Sequence, residues 1–270
     1  MARVAIVGLT TVDVIRLPGA DPVTRAGGTP IYGARALAAL GEPVAVATRC
    51  HDRALTAGIP ASPLCVQIDP ESMISELTYH EHGERTQRLG AIGSDWLAED
   101  VRGFAWPAVE PASWIHVGGQ RGGDFPAEAL AALAEGGRSL ALDAQGPLRC
   151  RTVGPMAYSG TLEPELLAHV RALKLSEEEA DAAFGTLDAV AIRAACGVAE
   201  VIVTLGIAGA RVASPEGAAT IDADPVPEAD TTGAGDAFLA TYCASRAGGL
   251  APHAATQRAC LHVATMLRSG

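Results

Sequence analysis

The residues with the clearest chemical potential form one segment, 230–238, which reads Asp-Thr-Thr-Gly-Ala-Gly-Asp-Ala-Phe and precedes an apolar run with helical spacing. Glycines directly before a helix let the backbone turn sharply, so that unpaired amides and the positive end of the helix dipole form an anion site. Beside a bound phosphoryl group, Asp236 in the first helical turn would accept the proton of an attacking hydroxyl. A plainer interpretation is that Thr231 or Thr232 caps the helix and Asp236 only complements its dipole.

Other phosphate-binding motifs are absent from the sequence. Lys174 is the single lysine among the 20 basic residues, and no G-x-x-x-x-G-K-[ST] run or H-R-D loop is present, which excludes P-loop and protein-kinase sites. The early turn at 8–13 lacks two glycines of the dinucleotide fingerprint, which excludes a Rossmann dehydrogenase. With one lysine available, we expect amides, arginines and a divalent cation to share the charge of a bound phosphate.

Composition narrows the class of protein. The 270 residues include 31 acidic and 20 basic ones, and this net charge of −11 argues against a nucleic-acid partner. No apolar run reaches the roughly 18–20 residues of a membrane span, and the N-terminus does not resemble a secretion signal. The six cysteines lack metal-clip spacing, so we expect reduced thiols in a cytoplasmic protein rather than zinc or disulfide sites.

The strands and helices that must position these residues are predicted to alternate along the chain. Apolar runs of strand length alternate with Ala- and Leu-rich segments of helical spacing, a pattern typical of a parallel sheet covered by helices on both faces. The expected strands lie at 4–7, 44–47, 114–117, 140–143 and 201–205, and the expected helices at 31–40, 127–134, 163–173 and 188–196. We therefore predict one doubly wound α/β domain over residues 1–270.

One region, 64–89, breaks this alternation with residues of strand period and a predicted hairpin turn at 81–84. It predicts a small antiparallel sheet, which would form a lid over the site with segments at about 10–28 and 64–90 and exclude water. The alternative is a surface excursion without a role. Exposed lid strands would also permit pairing into a homodimer.

The complete string at 230–238 is identified as the signature of the ribokinase-like (PfkB) sugar kinase family. Further resemblance lies in the strand that leads to Asp13, in the Gly27-Gly28 pair before a helix, in the segment ending at Glu179 and in Thr204-Leu205-Gly206 with Gly209. The resemblance implies a three-layer αβα fold and transfer of the ATP γ-phosphate to a hydroxyl with Mg²⁺. It departs from the family at Ser176, where Asn is usual, and at 49–53.

The same resemblance implies a role for each matching residue. Asp236 would be the general base, the amides of Gly233, Ala234 and Gly235 an anion hole, and Glu179 a ligand that organises Mg²⁺ through water. The acceptor would be held by Asp13, Gly27 and Gly28. The nucleotide would be held by Thr204, Gly206, Gly209, Thr232 and Gly235. Asp230 and Thr232 match positions that bind a monovalent cation in some members.

The acceptor is indicated by the segment 143–149, Asp-Ala-Gln-Gly-Pro-Leu-Arg, which follows an expected strand end. It resembles a subgroup that includes myo-inositol kinases, and Gln145 and Arg149 would bind hydroxyls or a phosphate; Arg88 is a further candidate. We expect a kinase of a sugar or a cyclitol such as myo-inositol. A nucleoside kinase, with Tyr32, Tyr79 or Trp96 near the substrate, and a catalytically silent regulator that binds sugar or nucleotide remain alternatives.

Overall fold

The computed structural model describes residues 3–80, 85–158, 161–226 and 231–269. Within these residues the strands are β1 (Val4–Leu9), β2 (Thr11–Arg16), β3 (Val23–Gly27), β4 (Val44–Cys50), β5 (Leu64–Ile68), β6 (Ile74–Tyr79), β7 (Arg85–Ala91), β8 (Trp114–Gly118), β9 (Ser139–Asp143), β10 (Gly154–Pro155), β11 (Val170–Ser176), β12 (Glu200–Thr204), β13 (Ala210–Ser214) and β14 (Gly217–Ile221). The helices are α1 (Thr29–Ala39), α2 (Ala98–Arg102), α3 (Trp106–Val109), α4 (Ala127–Ala134), α5 (Gln145–Leu148), α6 (Pro164–Leu167), α7 (Glu177–Phe184), α8 (Ala189–Cys196), α9 (Ala234–Ala247) and α10 (Pro252–Ser269). None of the helices in the described residues has the length and apolar character needed to cross a membrane.

A nine-stranded sheet forms the centre of the molecule, in the order β14-β13-β12-β11-β9-β8-β1-β4-β5. Pairing is parallel from β12 through to β5, and only the β12–β13 and β13–β14 pairs at one edge are antiparallel. All six residues of β1 are buried, as expected for a strand covered on both faces. The prediction of a doubly wound α/β sheet is confirmed.

Helices cover both faces of this sheet and make the molecule three layers deep. Helices α1, α9 and α10 pack on one face around Ile31, Leu239 and Ala259. The other face carries α2, α3, α4 and α8, with Trp96 and Leu130 completely buried there. Since each helix buries an apolar stripe against the sheet, the strand ends are held rigidly enough to position side chains.

The helix expected over 163–173 is wrong in its second half. Helix α6 ends at Leu167, and β11 begins at Val170, because the segment 172–174 pairs in parallel with both β9 and β12 and is buried there. Sheet pairing on two sides therefore overrides the local helical spacing.

A second sheet of five strands has the order β10-β7-β6-β2-β3. It differs from the expected antiparallel sheet in two ways. First, β2 and β6 pair in parallel. Second, Leu64–Ile68 is not part of it, since this strand pairs with β4 and forms the edge of the large sheet. The turn predicted at 81–84 lies outside the described residues.

Candidate active site

A cavity of about 430 Å³ lies where β11 and β12 end, and strands β2, β6 and β7 of the second sheet line its other side. Most residues predicted for the site line this cavity. They are Asp13, Gly28, Gln145, Arg149, Glu179, Thr204, Gly206, Thr232, Gly233, Ala234, Gly235 and Asp236. Gly27 stands behind Asp13, and Gly209 lines a second cavity. The structure thus brings together segments that are far apart in the sequence.

Asp236 lies in the first turn of α9, and the hydroxyl of Thr29 donates to its Oδ1 at 2.6 Å. Burial, followed by the negative charge of Asp143, raises the pKa of Asp236 to about 7. The Thr29 hydrogen bond and the positive charges of Lys174 and Arg149 oppose this shift. A carboxylate with a pKa near neutrality is suited to take a proton from a hydroxyl and to release it again.

The turn before α9 depends on Gly233, which has φ 79° and caps the helix. A Cβ at this position would lie 2.3 Å from the Tyr32 ring, so a side chain is excluded by space as well as by backbone conformation. The Ala234 amide, which the resemblance assigns to the anion hole, donates to the Thr231 carbonyl at 3.0 Å. The amides of Gly235 and Asp236 have no backbone acceptor among the described residues. These two amides can receive an anion.

Asp13 lies across the cavity from this turn, on β2, and only 5% of it is exposed. Thr11 donates a hydrogen bond to Asp13 at 2.7 Å, and the Tyr32 hydroxyl donates one at 3.3 Å. Burial raises the pKa of Asp13, although both hydrogen bonds and the charge of Arg25 oppose the shift. Gly27 makes room for the carboxylate, because a Cβ there would lie 2.0 Å from its Oδ2. Gly27, which the resemblance assigns to acceptor binding, lies against Asp13 and does not line the cavity.

Gln145 and Arg149 are bonded to each other beside the same cavity. When the Gln145 amide is assigned with its oxygen facing the guanidinium, that oxygen accepts from Arg149 at 2.5 and 2.7 Å. Arg149 also donates to Gln87 Oε1 at 3.1 Å, and Gln87 donates to the Ser75 hydroxyl at 2.9 Å. This chain of polar groups links the large sheet to β6 and β7. The sequence analysis did not identify Ser75 on β6 or Gln87 on β7 as site residues, because it predicted these strands only as a lid.

A second cavity of about 240 Å³ adjoins the first behind the Gly233 turn, and Thr204, Gly206, Ala234 and Gly235 line both. Its other walls are mainly apolar side chains, among them Ile207, Val226, Phe238, Cys260, Val263 and Leu267. Of the residues predicted to hold a nucleotide, Gly209 lines only this cavity and Thr232 only the first. Asp230 lies outside the described residues.

Three other candidate residues, Arg88, Trp96 and Tyr79, line neither cavity. Arg88 points outward on β7 and donates to Glu76 at 3.4 Å, with half of its side chain exposed. Trp96 is completely buried between Phe104 and Phe125 in the core. Tyr79 lines neither cavity, whereas Tyr32 does line the first.

The sequence model of the pfkB family carbohydrate kinases matches residues 65–269, about three quarters of the chain. The chain belongs to the pfkB family. It is accordingly a phosphotransferase that acts on an alcohol group, as the signature at 230–238 predicted. No curated protein sequence matches the chain.

Solved structures share the fold of this pfkB-family kinase at low sequence identity. A pyrophosphate-dependent kinase of the ribokinase family, complexed with a pyrophosphate analog and myo-inositol, superposes with a TM-score of 0.82 and 19% identity, over 98% of this chain and 95% of that chain. Arabidopsis thaliana ribokinase complexed with ribose and ATP has a TM-score of 0.76 and 19% identity, over 99% and 93% of the two chains. Thermotoga maritima ribokinase has a TM-score of 0.75 and 16% identity, again over 99% and 93%.

Kinases of this family use ATP and a divalent metal. In this chain the candidate ligand for such an ion is a single carboxylate, that of Glu179. Glu179 is only 4% exposed, and its Oε2 accepts from the Ser176 amide at 2.8 Å while Ser176 Oγ accepts from the Glu179 amide at 3.2 Å. Burial raises the pKa of Glu179, with Lys174 opposing and Asp143 reinforcing the shift. The described residues contain no group of three side chains that could hold a metal ion. One carboxylate suits Mg²⁺ if phosphate oxygens and water complete its shell.

Proposed function

We propose that this kinase transfers the γ-phosphate of ATP to a hydroxyl of a neutral polyhydroxy compound, a sugar or a cyclitol such as myo-inositol. One observation carries the proposal: Asp236 lines a polar cavity, and this cavity shares the turn at the start of α9 with an adjoining apolar cavity. A polar cavity suits the acceptor, and an apolar one suits a purine base. The shared turn then lies where the transferred phosphoryl group must pass.

In this proposal each group of the chain has a defined task. Asp13 and the amide of Gln145 bind acceptor hydroxyls and orient one of them towards Asp236. Asp236 takes the proton of that hydroxyl as the oxygen attacks phosphorus. The amides of Gly235 and Asp236 stabilise the charge on the phosphoryl oxygens. Glu179 would hold Mg²⁺ through water, and the ion would supply charge neutralisation of the donor phosphates. Thr232 and Asp230 would serve a monovalent cation.

The lining of the polar cavity supports an uncharged polyol over a nucleoside. Its polar side chains include Thr11, Ser75, Gln87, Gln120 and Gln145, groups that exchange hydrogen bonds with hydroxyls. A pyrophosphate-dependent myo-inositol-1 kinase that mutation converted into a myo-inositol-3 kinase superposes with a TM-score of 0.79 at 19% identity. Because of this likeness, cyclitols are included among the acceptors to be tested.

The proposal is tested by measuring ADP formation with sugars, cyclitols and nucleosides, using Asp236→Asn as the matched inactive control. We expect turnover with at least one sugar or cyclitol. Turnover only with nucleosides would replace the proposed acceptor class. Ligand binding without turnover for any acceptor would favour the silent regulator. A parallel series with pyrophosphate in place of ATP measures the phosphorylated acceptor with both donors, and faster turnover with pyrophosphate would refute ATP as donor.

We also propose that the second sheet is a lid that closes the acceptor site and forms one unit with the large sheet in a single domain of 270 residues. The bonds from Gln87 to Ser75 and Arg149 support this role, because they join the sheet to the cavity wall. Gln87→Ala should raise the acceptor KM at least tenfold with little change in kcat. The matched control is Gln67→Ala on β5, which should leave the KM unchanged. An unaltered KM in Gln87→Ala would refute the lid contact. A sedimentation measurement tests whether the exposed edge of β3 forms a homodimer.

A further inference from the structure

Lys174 is the single lysine of the chain, and its position in the fold is unusual for a lysine. It lies on β11, in register with Asp143 of β9 on one side and Ile202 of β12 on the other. Only 4% of the residue is exposed, yet it lines the 430 Å³ cavity. Lysine is almost never fully buried unless it is paired, so this ammonium is held there by specific partners.

The Lys174 ammonium uses two of its N–H donors in hydrogen bonds to Asp143. Lys174 Nζ donates to Asp143 Oδ2 at 3.1 Å and to Asp143 Oδ1 at 3.2 Å. Asp143 is its one hydrogen-bond acceptor in the part of the chain that the structure describes. An ammonium carries three N–H donors, so a third is available to a group in the cavity.

The same nitrogen lies directly beneath the turn that begins α9. A Cβ built on Gly235 would be 3.0 Å from Lys174 Nζ and 3.9 Å from Asp143 Oδ2. The ammonium therefore approaches from the sheet the same turn that presents the Gly235 and Asp236 amides. A side chain at position 235 would separate the two.

The local charges keep this lysine ionised. Burial alone lowers the pKa of Lys174, but the negative charge of Asp143, followed by those of Glu179 and Asp236, raises it above the usual value. Three carboxylates thus surround one ammonium before any donor binds. A phosphoryl group entering this region adds further negative charge, which amides alone neutralise poorly.

We propose that Lys174 is a catalytic residue that donates a hydrogen bond to the transferred phosphoryl group, while Asp143 holds the ammonium in place beneath Gly235. This inference rests on the proposed function. The donor P–O bond breaks, a P–O bond to the acceptor oxygen forms, and the acceptor proton passes to Asp236. Lys174 keeps all three of its protons and supplies charge as the phosphoryl group moves.

The test separates this role from that of a structural ion pair. Lys174→Met leaves Asp143 buried and unpaired, so the decisive variant is the double substitution Lys174→Met with Asp143→Asn, which removes both charges together. We expect the double variant to melt within a few degrees of the wild type and its kcat to fall about 100- to 1,000-fold. The acceptor KM should change only a few fold. The control Arg102→Met removes an exposed cation far from the site and should leave both constants unchanged.

A folded double variant with kcat within fivefold of the wild type would overturn the proposal. A wild-type enzyme without kinase turnover would instead refute the proposed function, so the two failures are distinguishable. A second measurement needs no variant: a crystal structure of the wild type with ADP, acceptor and aluminium fluoride. We expect Lys174 Nζ within about 3.2 Å of a fluoride, the range of an ordinary N–H donor. A separation beyond about 4 Å would refute the contact even if the double variant failed to fold.

Discussion

Replacing Asp236 by asparagine removes a negative charge and leaves the shape of the site almost unchanged. The asparagine amide oxygen can still accept the hydrogen bond from Thr29 that Asp236 Oδ1 receives at 2.6 Å. The proton acceptor is lost, so we expect kcat to fall by about 10²–10⁴-fold, the usual contribution of a general base. Nucleotide affinity should stay within a few fold, because the apolar cavity is untouched.

The same substitution should change stability in a pH-dependent way. The pKa of Asp236 rises from 3.8 to about 7 in the folded protein. Between these values the folded state binds more protons than the unfolded state, so the free energy of unfolding falls as the pH rises. A difference of about three pKa units corresponds to at most ~4 kcal/mol above pH 7. Asp236 is incompletely buried at the cavity wall, and solvent screening reduces this figure to about 2 kcal/mol.

Asparagine carries no such penalty at any pH. The variant should therefore melt about 5 °C above the wild type at pH 8, and the difference should vanish near pH 4. Differential scanning calorimetry from pH 4 to 8, together with ADP release, measures both effects. Asp181→Asn on the exposed face of α7 is the matched control. A kcat within tenfold of the wild type would refute Asp236 as the base. A melting difference independent of pH would refute the electrostatic argument.

Three further predictions concern pH, the acceptor site and the core. The kcat/KM of the wild type should fall tenfold per pH unit on the acid side of about pH 7, as Asp236 gains its proton; an acid limb near pH 4 would contradict this. Gly27→Ala should raise the acceptor KM more than tenfold with little effect on the nucleotide KM, because the new Cβ displaces Asp13; isothermal titration would reveal unchanged acceptor binding if this is wrong. Trp96→Ala should lower the free energy of unfolding by about 3–5 kcal/mol in urea titrations, whereas the exposed Leu261→Ala should change it by less than about 0.5 kcal/mol.

The sequence predicted the large sheet well because its strands are continuous apolar runs. Val4–Leu9 is buried at every position, and a strand of that kind fits only the interior of a covered sheet. The segment Leu64–Ile68 has a similar short pattern but lies at the sheet edge, paired with β4. Its assignment to the lid failed because the pairing partner of a short strand depends on tertiary packing, which local pattern does not encode.

In the candidate site, too, some features follow from local sequence and others depend on tertiary packing. The glycine turn and Asp236 are contiguous in sequence, so their arrangement at a helix start follows from local rules. The bond from Arg149 to Gln87 joins residues 62 positions apart, and no local pattern predicts it. The Ala234 amide, which the resemblance assigns to an anion hole, donates to the Thr231 carbonyl, a contact within the turn that the motif does not reveal.

The residues that line the cavity come from two different sheets. Ser75, Leu77 and Gln87 come from the small sheet, whereas Lys174, Thr204 and the α9 turn belong to the large sheet and its connections. Under the proposed function, substitutions on the small sheet would change the acceptor side of the cavity and leave the residues proposed for phosphoryl transfer unaltered. A change of acceptor would then need substitutions only at cavity-facing positions of the small sheet, such as Ser75, Leu77 and Gln87.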